Sequence, residues 1–194
     1  MNDIKEIEQF KKHNLFLVPL GKEKQPKSKP DVNGQYSWKY SDKVNKKLIE
    51  WSDQELLKAE GLGVSHQHSK IVDVDFDNPI AQEFVDCFPP TFSIGKKKIT
   101  HLLYKVDEIN KSFSYPKTSV AGGKVIELLT KTQTVLKHSD GSRKIFNDRA
   151  PLEAKYKDIL QHVKMTALFT ELHNVWPKPA SERRDDAWLR LMGA

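Results

Sequence analysis

The chain has 194 residues, 38% of them hydrophobic, with 32 Lys and Arg against 26 Asp and Glu, a formal net charge of +6 and a single cysteine, Cys87. That length and apolar fraction support one ordinary domain, or one domain with an appendage; one cysteine excludes an intrachain disulfide and a cysteine-rich zinc site. No apolar run approaches the roughly 18 residues of a membrane span, and the charged N-terminus has no signal-peptide core, so a reducing cytoplasm is the expected setting.

Ile4, Ile7 and Phe10 fall at helical spacing and predict a helix over 3–12, followed by a buried strand from Leu15 to Leu20. A Lys/Pro/Ser/Gly loop then runs to about residue 41. Residues 21–47 hold eight lysines against Glu23, Asp31 and Asp42, with Tyr36, Trp38 and Tyr40 among them. Two readings stay open for this stretch. Lysines neutralise phosphates while aromatic rings stack on unpaired bases, which makes Lys24, Lys27, Lys29, Tyr36, Trp38 and Lys39 candidates for nucleic-acid contact; the same composition also describes a solvated loop. Lys46 to Ala59 suits a short helix with Ser52 as a break or cap, before strands near 62–65 and 70–76. Between them His66-Gln-His68 reads as loop or edge strand, because it has no acidic or thiol companion at ligand spacing. Pro79 predicts a helix start, with the helix running to Phe88 and ended by Pro89-Pro90. Strands near 91–94, 99–105, 124–129 and 133–137 complete a mixed α/β pattern. From about residue 150 the apolar residues Ile159, Val163, Leu168, Phe169 and Leu172 turn helical, and no further strand is expected.

The chemistry concentrates on these strands. In IVDVDFDN, strand alternation points Asp73 and Asp75 to one face and Val72, Val74 and Phe76 to the other. Two carboxylates sharing one small space raise each other's pKa unless a cation neutralises them, and oxygen ligands with open positions suit Mg²⁺ or Mn²⁺. The stretch also opens like a calcium-binding EF-hand loop, but Asn78 stands where that loop needs glycine and Phe84 where it needs glutamate. His101 in KKKITHLLYKV is either a ligand-binding histidine or a satisfied core one, and Glu127 in KVIELLT is either a third carboxylate of the site or a solvent-facing strand residue. Lys137, His138, Ser139 and Arg143 either reach phosphate or belong to a solvated turn, since Ser-Asp-Gly-Ser is strong turn chemistry.

Taken together and in this order, Asp73, Asp75, His101 and Glu127 resemble the motifs of the prim-pol branch of the archaeo-eukaryotic primase superfamily, the bifunctional primase/polymerase domains of phages and plasmids. The resemblance covers most of the chain: the strand and Lys-Pro loop from Asn14 to Pro26, then Trp51 and Gly61-Leu-Gly-Val, lead into the acidic strand. The family has a small residue two before the histidine, where this chain has Ile99, and its glycine-rich approach is represented by Ser93-Ile-Gly95. The resemblance implies an α/β (mixed α+β) fold, an RRM-like catalytic sheet with an N-terminal α/β module over 1–150. It makes 151–194 C-terminal helices, the start of a helical domain whose parent protein carries a further helical region, with or without a helicase region. No G-x-x-x-x-G-K-[ST] loop occurs in the chain itself.

What the resemblance implies for activity is template-directed joining of nucleoside triphosphates on DNA by two Mg²⁺ or Mn²⁺ ions and no zinc, in the replication of a phage or plasmid and in the host cytoplasm. Asp73, Asp75 and Glu127 would hold the ions. His101 with Ser93, Lys96, Lys97, Lys98, His138 and Arg143 would hold the triphosphate. The alternatives are a replication-initiator or single-stranded nucleic-acid-binding module without catalysis, and a metal-dependent nuclease. No membrane partner is expected.

Overall fold

Asp3 opens the first helix, α1 (Ile4–Lys12), in a capping box with Glu6, and the helix buries Ile7 and Phe10 along one side. The structure, a computed structural model, describes residues 2–27, 29–30, 36–37, 51–115 and 123–175. Asn14 adopts the left-handed conformation just after α1 and turns the chain into β1 (Leu17–Leu20), buried along its whole length. β2 (Lys29–Pro30) and β3 (Tyr36–Ser37) form a short antiparallel pair. The expected helix over 46–59 is described from Ser52, which caps α2 (Asp53–Leu57) in a second capping box with Glu55; its earlier part lies outside the described residues.

β4 (Gly61–Ser65) leads into one helical turn, α3 (His66–Ser69), in place of the expected loop or edge strand. β5 (Ile71–Asp75) follows. The helix expected from Pro79 is a 3-10 helix over Ala81–Cys87, because the Asn78 side chain accepts from the Ile80 N–H and holds a turn there first. Then come β6 (Phe92–Gly95), β7 (Ile99–Val106), β8 (Phe113–Tyr115), β9 (Ile126–Leu129) and β10 (Gln133–His138). Two further strands, β11 (Lys144–Asn147) and β12 (Leu152–Ala154), precede the long α4 (Tyr156–Val175).

A three-stranded sheet has the order β1-β4-β10, and a seven-stranded sheet the order β11-β6-β7-β5-β9-β8 with β12 also on β7. Alternation along β5 splits the large sheet between two cores. Ile71 joins Phe92, Ile94 and Leu103 against the small sheet and α1, while Val72 and Val74 join Leu102, Tyr104 and Leu128 against α4. Tyr156, Ile159, Val163 and Ala167 of α4 are buried in that second core and β12 pairs with β7, so the chain beyond 150 is built into the large sheet as far as it is described. The fold is mixed α+β with mainly antiparallel sheets and a C-terminal helix. Among the described residues no helix is long and apolar enough to cross a membrane.

Candidate metal centre

β5 runs between β7 and β9, and the register sets Asp75 opposite His101 on one side and opposite Glu127 on the other. Directly opposed residues in an antiparallel pair bring their Cβ atoms to about 5 Å, so three functional side chains meet across three strands. Asp77 completes the group. One oxygen each from Asp75, Asp77 and Glu127 lie within 4.8 Å of one another, and these residues can hold a metal ion. Sequence reasoning stopped at Asp75, although the two-residue period that pairs Asp73 with Asp75 continues to Asp77.

Asp73 sits one step deeper. Its carboxylate is fully buried: Oδ2 accepts from His101 Nδ1 at 3.0 Å and from the hydroxyl of Thr134 on β10. Oδ1 is buried without a hydrogen-bond partner. Behind Thr134 stands His66, whose Nε2 lies 2.7 Å from the threonine Oγ1. Thr134 carried no signal in the sequence, and His66 read as loop or edge strand because its companions come from elsewhere in the fold: Thr134 reaches Asp73 from the other sheet, and His66, on α3, reaches Thr134.

The electrostatics divide along the same line. Burial raises the Asp73 carboxyl, but the charge and hydrogen bond of His101, with help from His66 and Thr134, outweigh it and hold the group below the usual carboxylate range. Burial likewise pulls down the His101 imidazole, and Asp73 and Asp75 reverse that and hold it above its ordinary value. At Asp75 the compensation falls short. Burial is the largest influence on its carboxyl and the charge of His101 the next, opposing it; Asp73, then Asp77 and Glu127, add to burial, and together they push its pKa up to about 7. Asp77 is raised as well, by burial and then by Glu127. Among the described residues Glu127 pairs with Lys124, whose Nζ donates to Oε2 at 2.8 Å from a half-exposed side chain.

Cations gather at this end of the sheet. Lys96, Lys97 and Lys98 are exposed on the turn joining β6 to β7, the last of them three residues before His101. The turn requires Gly95, since a Cβ there would sit 1.7 Å from the Lys98 carbonyl oxygen. Lys144 pairs with Gly95 from β11, and the neighbouring Arg143 is close enough to oppose protonation of His101.

The other sequence candidates go elsewhere. Ser93 pairs with Leu102, whose side chain belongs to the α4 core, so Ser93 faces away from His101, and its buried hydroxyl has no partner. His138 is four residues along β10 from Thr134, roughly 13 Å at strand rise. Buried against Gly61, it engages the Gly21 carbonyl at 3.1 Å and Asp140 at 3.1 Å. Lys24 forms an ion pair with Asp140 at 2.9 Å, and Lys27 is exposed. Lys29 and Tyr36 lie on the β2–β3 pair, and Trp38 and Lys39 lie outside the described residues. No family model and no curated protein matches the sequence.

Proposed function

We propose that the chain is a primase-polymerase core that joins nucleoside triphosphates on a DNA template with Mg²⁺ or Mn²⁺. The observation that carries this reading is the oxygen group of Asp75, Asp77 and Glu127 beside His101, at the end of a sheet flanked by Lys96–Lys98 and Arg143. An all-oxygen donor set suits a hard divalent cation, and the raised Asp75 carboxyl marks a site with more negative charge than the protein itself neutralises. Asp75, Asp77 and Glu127 would hold the metal, and the orphaned Oδ1 of Asp73 fits a positively charged neighbourhood.

Mg²⁺ or Mn²⁺ held by Asp75, Asp77 and Glu127 would supply the positive charge that activates an attacking hydroxyl and stabilises a departing pyrophosphate. The protein's own contribution is positioning and charge. His101, held at Nδ1 by Asp73, presents its ring to the triphosphate, and the lysine turn with Arg143 draws the phosphates to the acidic group. Asp73 belongs to this arrangement through His101, with His66 and Thr134 behind it.

The same carboxylates with Lys124 beside Glu127 also suit phosphodiester hydrolysis, so the deciding experiment uses one substrate for both. Primer-template is incubated with Mg²⁺, with and without triphosphates. Lengthening that needs triphosphates, and that Asp75→Ala and Glu127→Ala abolish, is the expected result. Shortening would make the protein a nuclease, and template binding unchanged by EDTA with no triphosphate bound would make it a binding module.

A further inference from the structure

The two sheets are joined at the site by an unbroken line of buried hydrogen bonds: His66 Nε2 to Thr134 Oγ1 at 2.7 Å, Thr134 Oγ1 to Asp73 Oδ2, and Asp73 Oδ2 to His101 Nδ1 at 3.0 Å. His66 and Asp73 are 0% exposed, Thr134 3% and His101 6%. Counting protons fixes the direction of every bond. A threonine hydroxyl has one proton to give and a carboxylate only accepts, so Thr134 donates to Asp73 and must accept from His66. His66 therefore carries its proton on Nε2 and leaves Nδ1 bare, and Nδ1 is the ring nitrogen the structure leaves buried without a partner. At the other end Asp73 receives the proton on His101 Nδ1. His101 Nε2 has no partner among the described residues and is the nitrogen left for a ligand.

We propose that His66 and Thr134 are positioning residues that act through Asp73 to fix the ring of His101, so that its Nε2 faces the phosphate-binding end of the sheet. A carboxylate held by one hydrogen bond can rotate; held by two on the same oxygen, from opposite sheets, it cannot turn without leaving a buried donor unpaired. Four buried polar groups at a sheet junction are costly compared with the apolar residues that pack the rest of that layer, and such networks serve best where one arrangement must be specified. What Nε2 binds rests on the primase-polymerase reading; the hydrogen-bond line does not.

Imidazole nitrogen–proton correlation spectra of the metal-free protein test the line without any catalytic readout. Wild type should show His66 protonated on Nε2 alone and a solvent-protected proton on His101 Nδ1. Thr134→Val should lose that protection, and Thr134→Ser should restore it. His66→Leu should weaken it, and His66→Gln, which keeps a donor at the same reach, should restore it. With Mg²⁺ present, triphosphate affinity should fall about tenfold in Thr134→Val and His66→Leu and recover in the two conservative variants, while Mn²⁺ affinity stays unchanged in all four. A wild-type His66 protonated on Nδ1, or a protected His101 Nδ1 proton that survives Thr134→Val, would overturn the proposal. If the spectra follow the pattern and wild type binds no triphosphate, the positioning line stands and the primase-polymerase reading falls.

Discussion

The two halves of the polar cluster on β5 differ in how complete they are. Asp73, two residues from Asp75 and on the same face, is ionised, fully buried and supplied with donors from His101 and Thr134. Asp75 has Glu127 and Asp77 for company, and the nearest imidazole nitrogen, His101 Nδ1, stands 3.5 Å away while bonded to Asp73. The protein has supplied two donors to one oxygen of Asp73 and left Asp75 short of positive charge. Crowded acids that the fold does not neutralise are where a cation adds most.

The largest break of that contrast is in stability. Asp73→Ala removes the acceptor for two buried donors, and losing one member of a buried charged pair costs about 3–5 kcal/mol. In a domain of this size that lowers Tm by on the order of 10 °C. Asp75→Asn should do the opposite in the absence of metal, raising Tm by removing a buried charge and its repulsion with the neighbouring carboxylates. Thermal unfolding in EDTA of the two variants beside wild type reads both signs in one experiment.

pH sharpens the comparison. A carboxyl whose folded pKa is raised to about 7 binds a proton in the folded state that the unfolded state has already lost, so stability falls as pH rises from about 4 to about 7. The shift bounds the Asp75 cost at about 4 kcal/mol above pH 7. His66 acts in the reverse sense: burial pushes it down to about 4, so the unfolded chain takes up a proton that the folded one refuses, and stability falls as pH drops from 6.5 toward 4. The two trends oppose each other in wild type. The difference between Asp75→Asn and wild type isolates the first: negligible gain in Tm near pH 4, growing to its full value by pH 8, and closed again by added Mg²⁺. A gain independent of pH would show that crowding is not its source.

Much of this was legible in the sequence, for identifiable reasons. Alternation in IVDVD, one apolar side and one acidic side, gave the strand and its orientation, and the matched strands carrying His101 and Glu127 turned out to be its two neighbours. Ser93 escaped because its facing depends on whether it pairs with His101 or with Leu102, and a one-residue difference in register reverses every side chain. Thr134, and His66 behind it, escaped because Thr134 meets Asp73 only after a second sheet is laid against the first. β11 and β12 were missed for a simpler cause. They are three or four residues long, mostly exposed, and held by pairing to β6 and β7 rather than by an apolar pattern of their own.

The smallest expected effect belongs to Lys124. Its side chain is half exposed, and exposed ion pairs contribute about 0–1 kcal/mol. Lys124→Ala should leave Tm within a few degrees of wild type and tighten Mn²⁺ binding slightly by freeing Glu127. A large loss of stability would place Lys124 in the completed half of the cluster.

The most direct measurement of the central claim is Mn²⁺ titration by calorimetry near pH 7.5, followed by Mg²⁺ competition, on wild type and on Asp75→Asn, Asp77→Asn and Glu127→Gln. The account predicts that wild type binds Mn²⁺ in competition with Mg²⁺ and that each variant loses at least tenfold in affinity. Equal binding by wild type and all three variants, or none by wild type, would contradict it.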